Sequence, residues 1–305
     1  MDLQQLKTFT TVAEEGHLTR AAERLFTSQP AISAQLKALE ATLGVDLFDR
    51  TPKGMQLTPA GQKLLSQARE ILGAANQLLQ DARAIQGVVL GEMKVGVNSD
   101  YAYLRIPALT TSLRETHPGI RLSLVNGMSP NIITEIRKGN LDTGFFFGPS
   151  ATADLYTLPL QDSAMAIVAP DDWADRVRDA SLEELVALPW IYTTERCPFY
   201  VLMQKMLEDK AMQVEKIALV ESEEAIREFI KAKAGIALLR GDDADRAEAE
   251  GWGVRWAGNA PRIRLNVAVQ KSRIREPMIQ AWLKQMRTIW PDACCLEAQD
   301  EAIAV

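Results

Sequence analysis

Apolar positions in the first sixty residues recur at helical spacing and break at short, defined points. Leu3, Leu6, Phe9, Val12 and Ala13 form one stripe that ends at Gly16. A second begins near Leu18 and Thr19 and carries Ala21, Ala22 and Leu25. After a break at Phe26-Thr27-Ser28, Ser28 reads as the N-cap of a third helix, with Pro30 tolerated in its first turn. The stripe of that helix is Ala31, Ile32, Leu36 and Leu39, and Gly44 ends it. Two short helices crossing at small residues around a tight turn predict a helix-turn-helix. Leu47–Arg50 and Met55–Thr58, on either side of Thr51-Pro52-Lys53-Gly54, predict a two-stranded wing.

The pattern then lengthens. From Thr58, an N-cap followed by Pro59, to about Gln86 there is no interior proline. Leu64, Ala68, Ile71, Ala75, Leu78, Ala82 and Ile85 alternate steps of four and three, a heptad seam with alanine at every second core position. Such spacing favours a partner helix over docking on the helix's own domain, so a dimerisation helix of about 42 Å is expected. Beyond Val88 the periods alternate between two and 3.6. Strands are predicted at Met93–Val97, Ile120–Val125, Gly144–Phe147, Ala164–Val168, Trp190–Tyr192, Ile217–Val220, Ile236–Leu239 and Ile263–Val269. Helices are predicted at Arg105–Thr116, Asn131–Lys138, Phe199–Glu208, Glu223–Ala232 and Met278–Ile289. This rhythm predicts a mostly parallel sheet with helices on both faces, arranged as two lobes that the chain crosses between twice.

Composition narrows the function classes. With 47% apolar and 24% charged residues the chain reads as an ordinary globular protein. No window approaches the ~18 consecutive apolar residues of a membrane span. The start, Met1-Asp2-Leu3-Gln4-Gln5, lacks the basic and apolar regions of a secretory signal, so a cytoplasmic protein without membrane contact is expected. His17 and His117 are the only histidines, and Cys197, Cys294 and Cys295 show no metal-ligand spacing; neither a metal nor a cofactor is expected. No GxSxG, phosphate-binding loop or dinucleotide fingerprint is present, and no acid–base pair stands out, which argues against an enzyme. The net charge of −6 offers no hint of nucleic-acid binding. Residues 1–58 themselves carry six Lys+Arg against seven acids.

The residues of the first sixty positions are more specific than their charge. Leu18-Thr19-Arg20-Ala21-Ala22-Glu23-Arg24-Leu25, Ser28-Gln29-Pro30-Ala31-Ile32-Ser33, Leu36 with Leu39-Glu40, Leu43-Gly44, Leu47-Phe48 with Arg50, and Leu57-Thr58 with Ala60-Gly61 closely resemble the LysR-type transcriptional regulators. Pro107, His117-Pro118, Gly139 with Leu141-Asp142, and Ala234-Gly235-Ile236-Ala237-Leu238-Leu239 resemble the same family further along. The resemblance implies an α+β multidomain chain. Residues 1–58 would be a winged helix-turn-helix DNA-binding domain and 59–87 a dimerisation linker helix. Residues 88–305 would be a periplasmic-binding-protein-like effector domain, with lobe I at about 88–161 and 265–305 and lobe II at about 162–264. One departure is Ala34, where many members carry a basic residue.

A recognition helix presents its N-terminal residues to base edges in the major groove. Gln29, Ser33 and Lys37 are the candidates there, with Pro30 offering apolar surface to a thymine methyl. Thr27 and Ser28 would contact phosphate, and Arg50 and Lys53 on the wing would reach phosphates or the minor groove. In open α/β sheets ligands sit beyond the carboxyl ends of strands. That rule selects Ser99, Asp100, Tyr101, Met128, Ser129, Phe146, Thr193, Thr194, Cys197 and Glu221 as effector-binding candidates. Ser99 and Ser129 are the preferred contacts. Asp100 and Glu221 equally suit helix capping, and a zwitterionic or amine-bearing effector would suit their charge. The expected partners are promoter or operator double-stranded DNA, a small-molecule effector and further copies of the chain in a homodimer or homotetramer, with RNA polymerase a candidate further partner. The alternative is a thiol-based redox sensor of the same family, since Arg196 and a helix start beside Cys197 would lower its pKa.

Overall fold

Asp2 starts the first helix with a reciprocal cap. Its carboxylate accepts the Gln5 N–H at 2.8 Å while the Gln5 side chain accepts the Asp2 N–H at 3.0 Å. Helix α1 (Leu3–Glu15) ends at Gly16 in the left-handed region, α2 (Leu18–Arg24) follows, and α3 (Gln29–Leu43) ends at Gly44, also left-handed. Strands β1 (Phe48–Thr51) and β2 (Gly54–Leu57) form the antiparallel wing. Gly54 has a positive φ and packs so closely on Gly16 and His17 that a Cβ would clash. Helix α4 (Pro59–Ile85) begins with the Thr58 hydroxyl accepting from the Gly61 N–H at 2.9 Å. Leu6, Phe9, Val12, Ala21, Ile32, Leu36 and Leu39 form the core, and Phe9 meets Phe48 edge-on at 5.6 Å. Each of these side chains larger than alanine contributes roughly 1.5–3 kcal/mol by burial.

These elements belong to the first of two compact units, Met1–Val89; the second is Leu90–Val305. The computed structural model describes residues 1–52, 54–85, 89–149, 152–208, 214–293 and 295–296. Among them no helix is long and apolar enough to cross a membrane.

The second unit opens with β3 (Gly91–Val97), α5 (Ile106–Thr116), β4 (Ile120–Asn126), α6 (Ser129–Arg137) and β5 (Thr143–Phe147). β3 pairs in parallel with β4 and β5. Gly96 and Gly144 are partners across that ladder, and their missing side chains leave room for Ile132 of α6. A sixteen-residue strand, β6 (Leu155–Pro170), leads through the short helices α7 (Ala174–Val177) and α8 (Leu182–Val186) to β7 (Pro189–Tyr192). Then come α9 (Pro198–Glu208), β8 (Glu215–Leu219), α10 (Glu223–Lys231), β9 (Ala237–Arg240), α11 (Gly241–Glu250), β10 (Gly253–Arg255), β11 (Arg262–Gln270) and α12 (Pro277–Ile289).

The seven-stranded path runs β10-β6-β11-β5-β3-β4, with β9 also paired to β6. This corrects the expectation of a mostly parallel sheet: β11 is antiparallel to both β5 and β6, and β6 is antiparallel to β9 and β10. β6 exchanges partners partway, pairing with β11 as far as Ala164 and with β9 from Met165 onward. One strand thus serves both lobes: its first half borders β11, and its second half lies between β9 and β10. The predicted Ala164–Val168 segment lies within its second half.

Candidate functional site

At the start of α3, Thr27, Ser28, Gln29 and Pro30 form a continuous exposed run, and Lys37 lies exposed two turns beyond Gln29. The Ser28 hydroxyl accepts from the Ala31 N–H at 3.3 Å, so it serves as the cap. Ser33 is half-buried and accepts from Arg50 Nη2 at 3.4 Å, which lays the wing arginine along α3. Arg24 is occupied by Glu14 at 3.0 Å and Glu15 at 2.8 Å, and Arg69 reaches Glu14 at 3.3 Å. Phe26, read from the sequence only as part of a break, stands 97% exposed in the turn before α3 with φ of 51°. Lys53 lies outside the described residues.

In the second unit one fully buried cation joins the two lobes. Arg240, at the end of β9, donates Nη1 to Ser99 Oγ at 2.7 Å and Nη2 to Asp100 Oδ2 at 2.9 Å, both from the loop after β3. It also pairs with Glu223, and with Asp242 through Nε at 2.9 Å and Nη2 at 3.1 Å; Asp243 lies 3.3 Å from Nη2. Its guanidinium lies 3.9 Å above the Tyr103 ring, whose hydroxyl is 2.6 Å from Ser163 Oγ. Ser99 completes a bridge by donating to Glu223 at 2.9 Å. Further contacts between the lobes are Thr194 Oγ1 to Met128 Sδ at 3.5 Å, Arg196 to Asn131 at 2.9 Å, and Phe147 against Phe199 at 5.1 Å.

The charges respond to this packing. Burial works against the Asp100 carboxylate, but the Tyr103 amide and Arg240 outweigh it and hold its pKa below the ordinary value. Burial pushes the Glu223 carboxyl up, beyond what Arg240 recovers, and does the same for Asp243. Burial also disfavours charged Arg240, yet Glu223, Asp242 and Asp243 together raise its pKa further. Arg240 is a permanent cation held by carboxylates from both lobes.

Residues 3–62 match the model described as bacterial regulatory helix-turn-helix protein, lysR family, and residues 86–290 match the LysR substrate binding domain. The chain belongs to the LysR family of transcriptional regulators. Its relatives are regulators rather than enzymes. It is 30% identical to the HTH-type transcriptional regulator YofA of Bacillus velezensis over 78% of this chain and 81% of that protein. It is 27% identical to the HTH-type transcriptional activator CmpR of a Synechocystis strain, covering 78% of each. Among solved structures, a full-length OxyR variant from Pseudomonas aeruginosa shares 27% identity at a TM-score of 0.72, covering 94% of this chain and 95% of that one. Full-length CbnR in complex with its target DNA, 24% identical at a TM-score of 0.60, shares the fold over 94% of this chain and 99% of that one.

Within this LysR-family scaffold the expected effector residues are dispersed. Ser99 and Asp100 sit in the interlobe bridge, and Asp100 also caps Tyr103 N–H at 2.8 Å. Ser129 is buried and accepts from Asn98 Nδ2 at 3.1 Å and from the Phe147 amide at 3.0 Å. Tyr101 and Glu221 are exposed, while Thr193 and Thr194 are half-buried. Glu223, two residues on from Glu221, is the acid that joins the bridge. Phe146 is packed in the core with Ile132, Ile136 and Leu141. Strand alternation sends Phe147, not Phe146, toward Tyr103 and Phe199. Cys197 departs from expectation: burial raises its thiol pKa, against hydrogen bonds from Thr193 and the Phe199 and Tyr200 amides that lower it.

The heptad seam is divided. Ala68 is buried in the winged-helix core, with Leu64, Leu65 and Leu72 packed on it, so the first part of the seam serves the helix's own unit. Ile71, Leu78 and Ala82 are exposed and Ala75 is half-buried, while the side chain of Ile85 lies outside the described residues. Arg240 was missed. Its only local signal is its place at the end of the Ala234–Leu239 stretch, just before Asp242-Asp243.

Proposed function

We propose that the chain is an effector-responsive, sequence-specific DNA-binding regulator. Gln29, Ser33 and Lys37 of α3 read bases in the major groove, and Thr27, Ser28, Pro30, Arg50 and Lys53 flank them. The exposed run at the start of α3, with the wing arginine held along the same helix, supports this assignment. Ile71, Ala75, Leu78 and Ala82 of α4 form the seam toward a second copy. A small ligand binds between the lobes of 88–305. The observation that carries the effector reading is the Arg240 bridge, because its polar groups come from two lobes and satisfy one another. A ligand that replaces some of those partners shifts the equilibrium between lobe arrangements by its differential affinity for them. The placement of paired DNA-binding domains then responds to ligand.

A melting-temperature screen of the full chain with amino acids, aromatic acids and amines tests this, followed by footprinting of any hit. A ligand at a hundred times its Kd adds about 2.7 kcal/mol of stability. For a unit of this size that is roughly 5–11 °C. The expected footprint changes in extent or bend with ligand. A hit that raises stability but leaves the footprint unaltered would count against coupling. We place the thiol-sensing alternative below this reading, since burial disfavours the Cys197 thiolate that oxidation needs.

A further inference from the structure

We propose that Phe26 is a DNA-contact residue, its ring laying an apolar surface against a nucleotide at the edge of the groove that α3 enters. The proposal rests on the assignment of α3 as the recognition helix. Helix α2 closes with paired reverse bonds, the Phe26 N–H to Glu23 O at 3.1 Å and the Thr27 N–H to Ala22 O at 3.0 Å. That closure requires a left-handed residue at position 26, where glycine or asparagine is the usual occupant. A bulky side chain there is a true outlier. Nothing inside the unit compensates, for the ring is 97% exposed. Neither backbone geometry nor packing accounts for a phenylalanine at this point, and strain without internal return points to an external partner.

The occupant follows from continuity and charge. Phe26 adjoins the exposed Thr27–Pro30 run in a helix-turn-helix that matches a DNA-binding family over residues 3–62. Residues 1–58 carry only six Lys+Arg against seven acids, and Arg24 is tied to Glu14 and Glu15. Attraction to phosphate is therefore weak in this domain, and an apolar contact adds affinity that does not depend on salt. Two apolar surfaces of DNA fit a phenyl ring: the thymine methyl and the deoxyribose face.

The test uses the full chain and a duplex selected by it from a random DNA pool. Phe26→Asn suits the left-handed backbone, so its melting temperature should equal or exceed that of the wild type. Its affinity for the duplex should fall roughly ten-fold, from loss of about half the burial of a phenyl ring. The dependence on salt should stay the same, and Phe26→Tyr should keep most of the affinity. Replacing thymine by deoxyuridine separates the two surfaces: a loss confined to the wild type assigns the methyl, and no loss assigns the deoxyribose. Unchanged binding by Phe26→Asn, alongside weakened binding by Gln29→Ala, overturns the proposal and leaves the recognition helix standing. Unchanged binding by both variants overturns the recognition-helix assignment as well. A loss of binding that comes with a lower melting temperature and is not restored in Phe26→Tyr assigns Phe26 to folding and overturns the proposal.

Discussion

Replacing Arg240 by methionine removes the cation while keeping a side chain of similar length. Asp100 and Asp242, with side chains 28% and 42% exposed, can regain water. Asp243 is only 1% exposed but keeps Arg227 at 2.9 Å. Glu223, 16% exposed, keeps only the Ser99 hydroxyl. One buried carboxylate is therefore left without its ion partner, and breaking a buried pair in this way costs about 3–5 kcal/mol. The lower end applies, since three of the four acids retain water or a second cation. At roughly 2–4 °C per kcal/mol for a unit of this size, the effector unit of Arg240→Met should melt about 6–12 °C below the wild type at pH 7. The pH dependence has a definite sign. The Glu223 pKa is already raised in the folded state, so Glu223 favours folding below its unfolded pKa and loses that contribution as pH rises through its folded pKa. Removing Arg240 raises the folded pKa further, so the gap between variant and wild type should widen from pH 5 to pH 8. Thermal unfolding followed by circular dichroism across that range measures both effects. A loss below about 1 kcal/mol, or a gap that widens on acidification, would refute the bridge as described.

Ala75→Glu sets a charge into the α4 seam. The uncompensated charge should cost about 3 kcal/mol, weakening self-association roughly a hundred-fold, and an unchanged mass in light scattering would contradict the seam. Ser129→Ala leaves the buried Phe147 amide without its acceptor, which costs about 1–3 kcal/mol. Its melting temperature should fall by roughly 2–12 °C with or without ligand, whereas unchanged stability with a lost ligand response would make Ser129 an effector contact. Burial raises the Cys197 pKa, so wild type and Cys197→Ser should consume a thiol reagent at equal rates at pH 7. A faster wild-type reaction, or peroxide-sensitive DNA binding that vanishes in Cys197→Ser, would restore the redox reading.

The winged helix was legible because its determinants are local. Ser28 caps within three residues, Gly16 and Gly44 end helices where they stand, and apolar spacing marks each stripe. The lobes were legible as a rhythm of elements, but not in their topology. Pro159 and the polar run Gln161-Asp162-Ser163 interrupt the apolar pattern of β6, where the strand passes from one lobe toward the other. Helix α11 escaped notice because only Ala244 and Ala247 supply its buried apolar face. Three consecutive phenylalanines hid which of them meets Tyr103 and Phe199, since β5 is buried on both sides. The seam looked uniform along α4, although Leu64 and Ala68 find partners in their own unit. Arg240 was out of reach for a different reason: Ser99 and Asp100 lie 141 and 140 residues away along the chain, and no periodicity links them.

The most direct test of the whole account is selection of DNA by the full chain from a random pool, followed by binding measurements with α3 variants. The account predicts paired half-sites about 34–36 Å apart or at multiples of that turn. Alanine at Gln29, Ser33 or Lys37 should cost roughly 1–3 kcal/mol if that residue reads a base, with relaxed preference at one position. Recovery of no preferred sequence, or a triple alanine variant that binds the selected DNA as tightly as the wild type, would contradict it.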